Sequence, residues 1–382
     1  MAQKLTIGLI FSNNENWIGG TYYILNLVQA FHSLPFEEQP NLVVFIDKPE
    51  DAKLIQATRY PNLAFYPLHF QYNNLINFIN RVSSRFFRKI IFQKKYPKNI
   101  ADIVFPYDLQ SSLSNIKHKF CWIPDFQEHY LKDFFSEQVL AFRKKSQETI
   151  IAENFPIVFS SQDAQKSFQE IYPKALNKTH VINFAATHPA YADLNIEQLR
   201  KKYGISKPYV ISPNQFWKHK NHQVILETAL AFAQKQSFDI QFIFTGKEYD
   251  FRYPDYAESL KKFVQAHNLQ EHVKFLGFID RADQLQLMNH ALAVVQPSLF
   301  EGWSTVVEDA KAMSQFLIVS DISVHQEQLI DYPNKLFFNP KEVESLSETL
   351  EIFLQQKTEK KNYNYKKNID KFAQEFLNLF IS

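Results

Sequence analysis

The chain has 382 residues, 45% of them hydrophobic and 21% charged, with a net charge of +2, the make-up of a soluble globular protein long enough for two domains. No apolar run approaches the ~20 residues that a membrane-spanning helix needs, and the stretch 5–11 lacks the length and the cleavage site of a signal peptide, so a cytoplasmic protein is expected. The single cysteine, Cys121, excludes an internal disulfide and a cysteine-based zinc cage, and is read as a buried thiol.

Short β-branched or aromatic runs alternate with segments of helical periodicity along most of the sequence. In chain order, strands are predicted at 5–11, 42–46, 63–66, 103–106, 120–123, 157–160 and 181–184, and the clearest helices among them at 21–34 and 137–154. The second half repeats the pattern, with strands at 209–212, 240–245, 273–277, 293–296, 317–320 and 336–338. Its helices fall at 223–235, 256–267, 282–291, 305–313 and 343–355. Strand, crossover helix and parallel strand, used twice, predict an α/β protein of two doubly wound domains, 1–188 and 189–360, with a linker near 185–195. Ile369, Phe372, Phe376, Leu377, Leu379 and Phe380 give the last segment an apolar face. Residues 361–382 are therefore expected to form a helix that returns to the N-terminal domain.

From 52 to 100 the sequence holds no Asp or Glu. Its cations Arg81, Arg85, Arg88, Lys89, Lys94, Lys95 and Lys98 interleave with Phe86, Phe87, Ile90, Ile91 and Phe92. Such a segment suits peripheral contact with an anionic membrane surface, and it equally suits a solvated basic face. No nucleic-acid partner is expected, since the rest of the chain carries no matching basic stripe or motif.

Glycine is scarce, 7 residues where about 27 would be usual. Gly8 falls inside the first strand and Gly204 at a helix end. Gly19, Gly20, Gly246, Gly277 and Gly302 fall at or beyond the carboxyl ends of predicted strands, the edge where open parallel sheets bind ligands. Gly19-Gly20 precedes a predicted helix, where bare backbone N–H groups suit a pyrophosphate and a simple tight turn is the other reading. Phe300-Glu301-Gly302-Trp303-Ser304-Thr305 joins a strand to the helix carrying Glu308 and Asp309. A loop carboxylate for sugar hydroxyls, a helix start for phosphate and a carboxylate one turn on for ribose match the three parts of a nucleotide-sugar. An acidic helix start that steadies the helix dipole is the alternative.

Three segments in order carry a family resemblance: Phe275-Leu276-Gly277-Phe278; Pro297-Ser298-Leu299-Phe300-Glu301-Gly302-Trp303 with Val306-Val307-Glu308-Asp309-Ala310; and Ser320-Asp321-Ile322-Ser323-Val324-His325-Gln326-Glu327. Together they resemble the retaining glycosyltransferases of family 4 (group 1 glycosyltransferases, GT-B fold), and the resemblance covers nearly the whole chain. It implies two facing Rossmann-like domains with a cleft between them, the N-terminal one binding the acceptor and the C-terminal one the nucleotide-sugar. It further implies that Lys220 binds the donor diphosphate, that Gly277 and Phe278 lie near the nucleobase, and that Glu301 and Asp309 are the two acids of an E-x7-E segment. Glu308 adjoins Asp309, and neighbours on a helix point about 100° apart, so one of the two faces the ribose. Where many members carry an Arg against the diphosphate this chain has Gln215, and Lys218 is the candidate to compensate. The segment from Trp122 to Tyr130 resembles one that often bears an active-site histidine. There His129 stands one position late, and Asp125 is a candidate to orient the sugar or the acceptor hydroxyl, against a surface histidine and a capping aspartate.

No D-x-D sequence occurs, so no catalytic metal is expected, and no cofactor beyond the nucleotide-sugar substrate. The resulting expectation is transfer of a sugar to a glycan or lipid-linked glycan in surface-polysaccharide assembly, at the inner membrane face. Lys220 and the helix start would stabilise the departing diphosphate during front-face attack. A non-catalytic nucleotide-sugar-binding subunit, motivated by Gln215 and the shifted histidine, and a sugar-nucleotide epimerase on the same plan are the alternatives.

Overall fold

The structure is a computed structural model that describes residues 4–14, 17–69, 76, 79, 96–109, 111, 113, 116–235, 239–356 and 359–381. Of the basic segment, Lys98 is among them, whereas Arg81, Arg85, Arg88, Lys89, Lys94 and Lys95 lie outside the described residues.

The first domain opens with parallel strands β1 (Thr6–Phe11), β2 (Asn41–Ile46), β3 (Leu63–Pro67), β4 (Ile103–Phe105) and β5 (His118–Lys119), in the spatial order β3-β2-β1-β4-β5. These strands read as unbroken apolar runs because both faces are covered. Along β2, Leu42, Val44 and Ile46 enter one core while Val43 and Phe45 enter the other. Strands β6 (Cys121–Ile123), β7 (Ile157–Phe159) and β8 (Thr179–Val181) form a separate parallel ladder.

The single strand expected at 120–123 is thus corrected to an extended run that starts beside β4 and ends beside β7. Pro106, following β4, has no N–H to continue the ladder, and the Phe120 carbonyl instead accepts the Tyr107 N–H at 2.7 Å. The strand expected at 181–184 lies at Thr179–Val181. The helix expected at 21–34 is Ile18–His32, so Gly19 and Gly20 occupy its first turn and not the loop before it.

In the second domain β9 (Tyr209–Ser212), β10 (Gln241–Phe244), β11 (Val273–Phe275), β12 (Val294–Gln296), β13 (Leu317–Ser320) and β14 (Lys335–Phe338) form one parallel sheet, ordered β11-β10-β9-β12-β13-β14. Val210, Phe242 and Ile318 pack on one side of it, and Tyr209, Ile243 and Val319 on the other.

The last helix, Lys366–Ile381, follows the second domain but buries Phe372, Phe376, Leu379 and Phe380 in the core of the first, against Tyr23, Leu27 and Phe105. Burying such a side chain stabilises by roughly 1.5–3 kcal/mol. At its foot the Tyr365 hydroxyl accepts the Ala186 N–H at 2.7 Å and donates to Glu308 at 2.6 Å, tying helix, linker and second domain together. Across the domains, Glu327 accepts the N–H groups of Gln162 and Asp163, capping the helix Gln162–Ile171. Among the described residues no helix is long and apolar enough to cross a membrane.

Candidate active site

The carboxyl ends of β1, β6, β9, β10 and β12 face a shared cleft that encloses a cavity of about 590 Å³. Its second-domain wall is built from the loop after β12. Ser320 Oγ donates to the Ser298 carbonyl, and Leu299 N–H to the His219 carbonyl, fixing the loop against the turn that carries Lys220. Three donors then converge on one oxygen of Glu301: Lys220 Nζ at 2.6 Å, Ser298 Oγ at 2.6 Å and Gln296 Nε2 at 2.7 Å all meet Oε1. Oε2 receives no donor among the described residues, and Glu301 lines the cavity. Burial pushes the Glu301 carboxyl upward, but Lys220, His325 and the Ser298 bond outweigh it and hold it below the usual carboxylate range. The neighbouring His219 is kept neutral, its pKa driven well down by burial and then by Lys220.

The helix Thr305–Ala312 starts on the cavity, with Ser304 as its N-cap: Ser304 Oγ accepts from Val307 N. Thr305 and Val306 line the cavity, so the helix start, whose first N–H groups have no intrahelical partner, borders it. Ser304 itself is buried and is corrected from a lining residue to the cap. The choice between Glu308 and Asp309 is decided by packing. Glu308 accepts from Lys311 (2.8 Å), Gln328 (2.9 Å) and Tyr365 (2.6 Å) behind the wall, and does not reach the cavity. Asp309 lines it, with Oδ1 taking Arg281 at 2.6 Å and His188 Nε2 at 3.1 Å, while the buried Oδ2 has no partner among the described residues. Burial raises the Asp309 pKa, and Arg281 with His188 more than reverses it, leaving an ionised carboxylate with one unsatisfied oxygen.

The first-domain wall carries Asp125, whose carboxyl is pushed up, first by burial. It lies against the donor loop: a Cβ on Gly302 would stand 2.5 Å from the Pro124 carbonyl oxygen and 2.8 Å from Asp125 Cβ. Glu128 lines the cavity, held by Arg143 (2.8 Å) and Gln147 (2.7 Å). His129, one residue on, is exposed against Tyr130 outside the cavity, which corrects its expected place in the site.

Gly19, Gln215, Gly246, Phe278, Gly302 and Trp303 line the cavity; Gly20, Lys218 and Gly277 do not. Gly20 is corrected from an anion-facing position, because the Trp17 ring lies on it, 2.7 Å from where a Cβ would stand. Lys218 is corrected from a stand-in for the missing arginine, because its ammonium sits over the rings of Tyr253 (4.3 Å) and Phe134 (5.7 Å). Gly277 lies just behind Phe278, and its φ of 67° turns the chain at the end of β11. Sequence reasoning missed Arg281, Arg252, His188, Glu128 and Arg143. Arg281 stands four residues beyond Gly277, past the carboxyl end of β11, and that placement was the signal available for it; the others reach the site only through tertiary packing.

Residues 195–372 match the family model described as glycosyl transferases, group 1. A curated relative, the O-antigen chain mannosyltransferase RfbU of Salmonella typhimurium, is 28% identical over 137 residues; the match spans 36% of this chain and 36% of the relative. Among solved structures, a glycosyltransferase from Rickettsia africae superposes with a TM-score of 0.68 at 14% identity, covering 99% of this chain and 98% of the other. HepE of Anabaena, solved in complex with UDP and glucose, gives 0.65 at 15% identity, covering 99% of both chains. With two parallel-sheet domains facing a cleft the chain has the GT-B fold, and residues 195–372, its second domain, are similar to the group 1 glycosyltransferases.

Proposed function

We propose that the protein moves a sugar from a nucleotide-sugar to a hydroxyl of a glycan or lipid-linked glycan, with retention of anomeric configuration and without metal or cofactor. The observation that carries this reading is the second-domain wall: Lys220, the start of the helix Thr305–Ala312, Glu301 and Asp309 share one cavity, and among the described residues Glu301 Oε2 receives no donor and the buried Asp309 Oδ2 has no partner. A helix start and an ammonium suit a diphosphate, and the two carboxylate oxygens suit hydroxyls of sugar and ribose.

In the proposed reaction the acceptor oxygen bonds to the anomeric carbon from the face the diphosphate leaves. The bond from that carbon to the diphosphate oxygen breaks, its electron pair departs with the diphosphate, and the acceptor proton passes to the departing oxygen. Lys220 and the helix start neutralise the growing charge, a kind of contribution whose loss costs roughly 10²–10³ in kcat. Closure of the cleft on the donor would exclude water that would otherwise hydrolyse it. The UDP and glucose in the Anabaena structure and the name of the Salmonella relative support this substrate class and a role in surface-polysaccharide assembly.

The test is a thermal-shift screen of nucleotide-sugars and nucleoside diphosphates, followed by NMR of the stabilising donor with and without glycan acceptors. Lys220→Ala should keep the fold and lose transfer by at least about 100-fold. Near wild-type transfer in that variant would overturn the assignment, and a donor altered with no acceptor present would mark an epimerase. The acid-free stretch 52–100 motivates a second proposal, peripheral contact with anionic membrane at the cytoplasmic face. Replacing Arg81, Arg85, Arg88, Lys89, Lys94 and Lys95 by Gln should abolish binding to anionic liposomes, and unchanged binding would remove that proposal.

A further inference from the structure

The first-domain wall of the cavity holds a built aromatic stack that neither the donor chemistry nor the family match uses. Tyr23, fully buried, lies 4.0 Å from Trp122 at an interplanar angle of 13°, and Trp122 lies 5.4 Å from Trp17 at 20°. The middle ring is pinned by its Nε1–H, which donates to Ser160 Oγ at 3.0 Å. Trp17 ends the stack, 42% exposed and lining the cavity. It is seated on Gly20, where a Cβ would meet three of its ring carbons at 2.7–3.0 Å. A large apolar ring held rigid from the core outward, with part of its surface open to a cleft that also carries charged side chains, is a recognition surface.

We propose that Trp17 is the platform on which a pyranose ring of the acceptor lies, a specificity-determining residue of the reaction proposed above, on which this inference rests. The surrounding chemistry selects a sugar over a hydrocarbon. Asp125, Glu128 and Arg143 line the same cavity, and an apolar ligand would strip their water without replacing its hydrogen bonds. A pyranose gives an aromatic face its C–H groups and gives the carboxylates and the guanidinium its hydroxyls. The same wall meets the donor loop at Asp125 and Gly302, and Trp17 lines the same cavity as both, so an acceptor ring on Trp17 shares the cavity with the donor site.

The experiment uses the full chain and a panel of methyl pyranosides (manno, gluco, galacto and rhamno) as probes, read by saturation-transfer NMR. Calorimetric titration with UDP and GDP is run on the same samples. At least one methyl pyranoside should bind the wild type. Trp17→Ala should weaken it at least about tenfold, equivalent to about 1.4 kcal/mol, and Trp17→Phe, which keeps a ring, by less than about threefold. Gly20→Ala, which keeps the tryptophan but displaces its ring, should reproduce the loss with melting temperature as the folding control. No methyl pyranoside binding to the wild type, or equal binding to Trp17→Ala, overturns the proposal. So does a Trp17→Ala variant that loses nucleoside diphosphate in parallel, because the ring would then be serving the donor. Failure of the wild type to bind any nucleoside diphosphate would instead refute the transferase reading itself.

Discussion

Substituting Gly302 by alanine tests whether the two walls must meet for the cleft to work. Gly302 does not need a positive φ, so alanine brings no backbone strain. Its methyl group, however, would stand 2.5 Å from the Pro124 carbonyl oxygen and 2.8 Å from Asp125 Cβ, both on the opposite domain. To reach an ordinary contact of 3.4 Å the walls must separate by about 0.9 Å. A misplacement of about 1 Å between reacting groups costs roughly 100-fold in rate, or about 2.7 kcal/mol of barrier. Nucleoside diphosphate affinity should change by less than about threefold, because Lys220, Glu301 and the helix start all belong to the second domain. The assay is initial-rate transfer with the donor found by thermal shift, beside calorimetric titration of the diphosphate and small-angle scattering of the domain pair. A Gly302→Ala enzyme with wild-type kcat/KM, or one that loses diphosphate binding and rate together, would refute the reasoning.

Two further predictions concern stability. Tyr365→Phe leaves the buried Ala186 N–H and one oxygen of the buried Glu308 without their partner; at roughly 1–3 kcal/mol for each group the variant should lose about 2–6 kcal/mol in urea denaturation, and a loss under about 0.5 kcal/mol would show the bridge to be dispensable. Glu301 and Asp309 have folded pKa values below their ordinary ones, the upward push of burial being exceeded by Lys220 and His325 at the first and by Arg281 and His188 at the second. Between the folded and unfolded values the unfolded chain binds more protons, so stability rises with pH there. Their contribution is therefore complete above about pH 5 and disappears as pH falls through the depressed values. Urea denaturation from pH 7 to pH 3 should show a shallower acid limb in Glu301→Gln and Asp309→Asn; identical limbs in wild type and variants would contradict the shifts.

The strand–helix alternation of the second domain was legible because each parallel strand is an apolar run covered on both faces. Tyr209–Ser212 and Leu317–Ser320 fall where the pattern puts them. The helical segments Ile196–Tyr203, Gln162–Ile171 and Ser323–Gln328 gave weaker signals, being short and polar. The break of 118–123 into β5 and β6 left no trace in periodicity, because both halves are extended and only their partners differ.

The same division runs through the site. The loop Phe300–Thr305, Lys220 and the pair Glu308–Asp309 were readable because local chain order already places them beyond strand ends and at a helix start. Sequence by itself determined which chemical groups are available and which edge of the sheets carries them. It left the 100° ambiguity between Glu308 and Asp309 open, since both lie on one helix. Only packing resolved it, by burying Glu308 against Lys311, Gln328 and Tyr365 and turning Asp309 to Arg281 and the cavity. Gly20 makes the point most sharply. Its absent side chain read as room for an anion, and the folded chain fills that room with Trp17, because a glycine records only that something must come close and the tertiary structure decides what does.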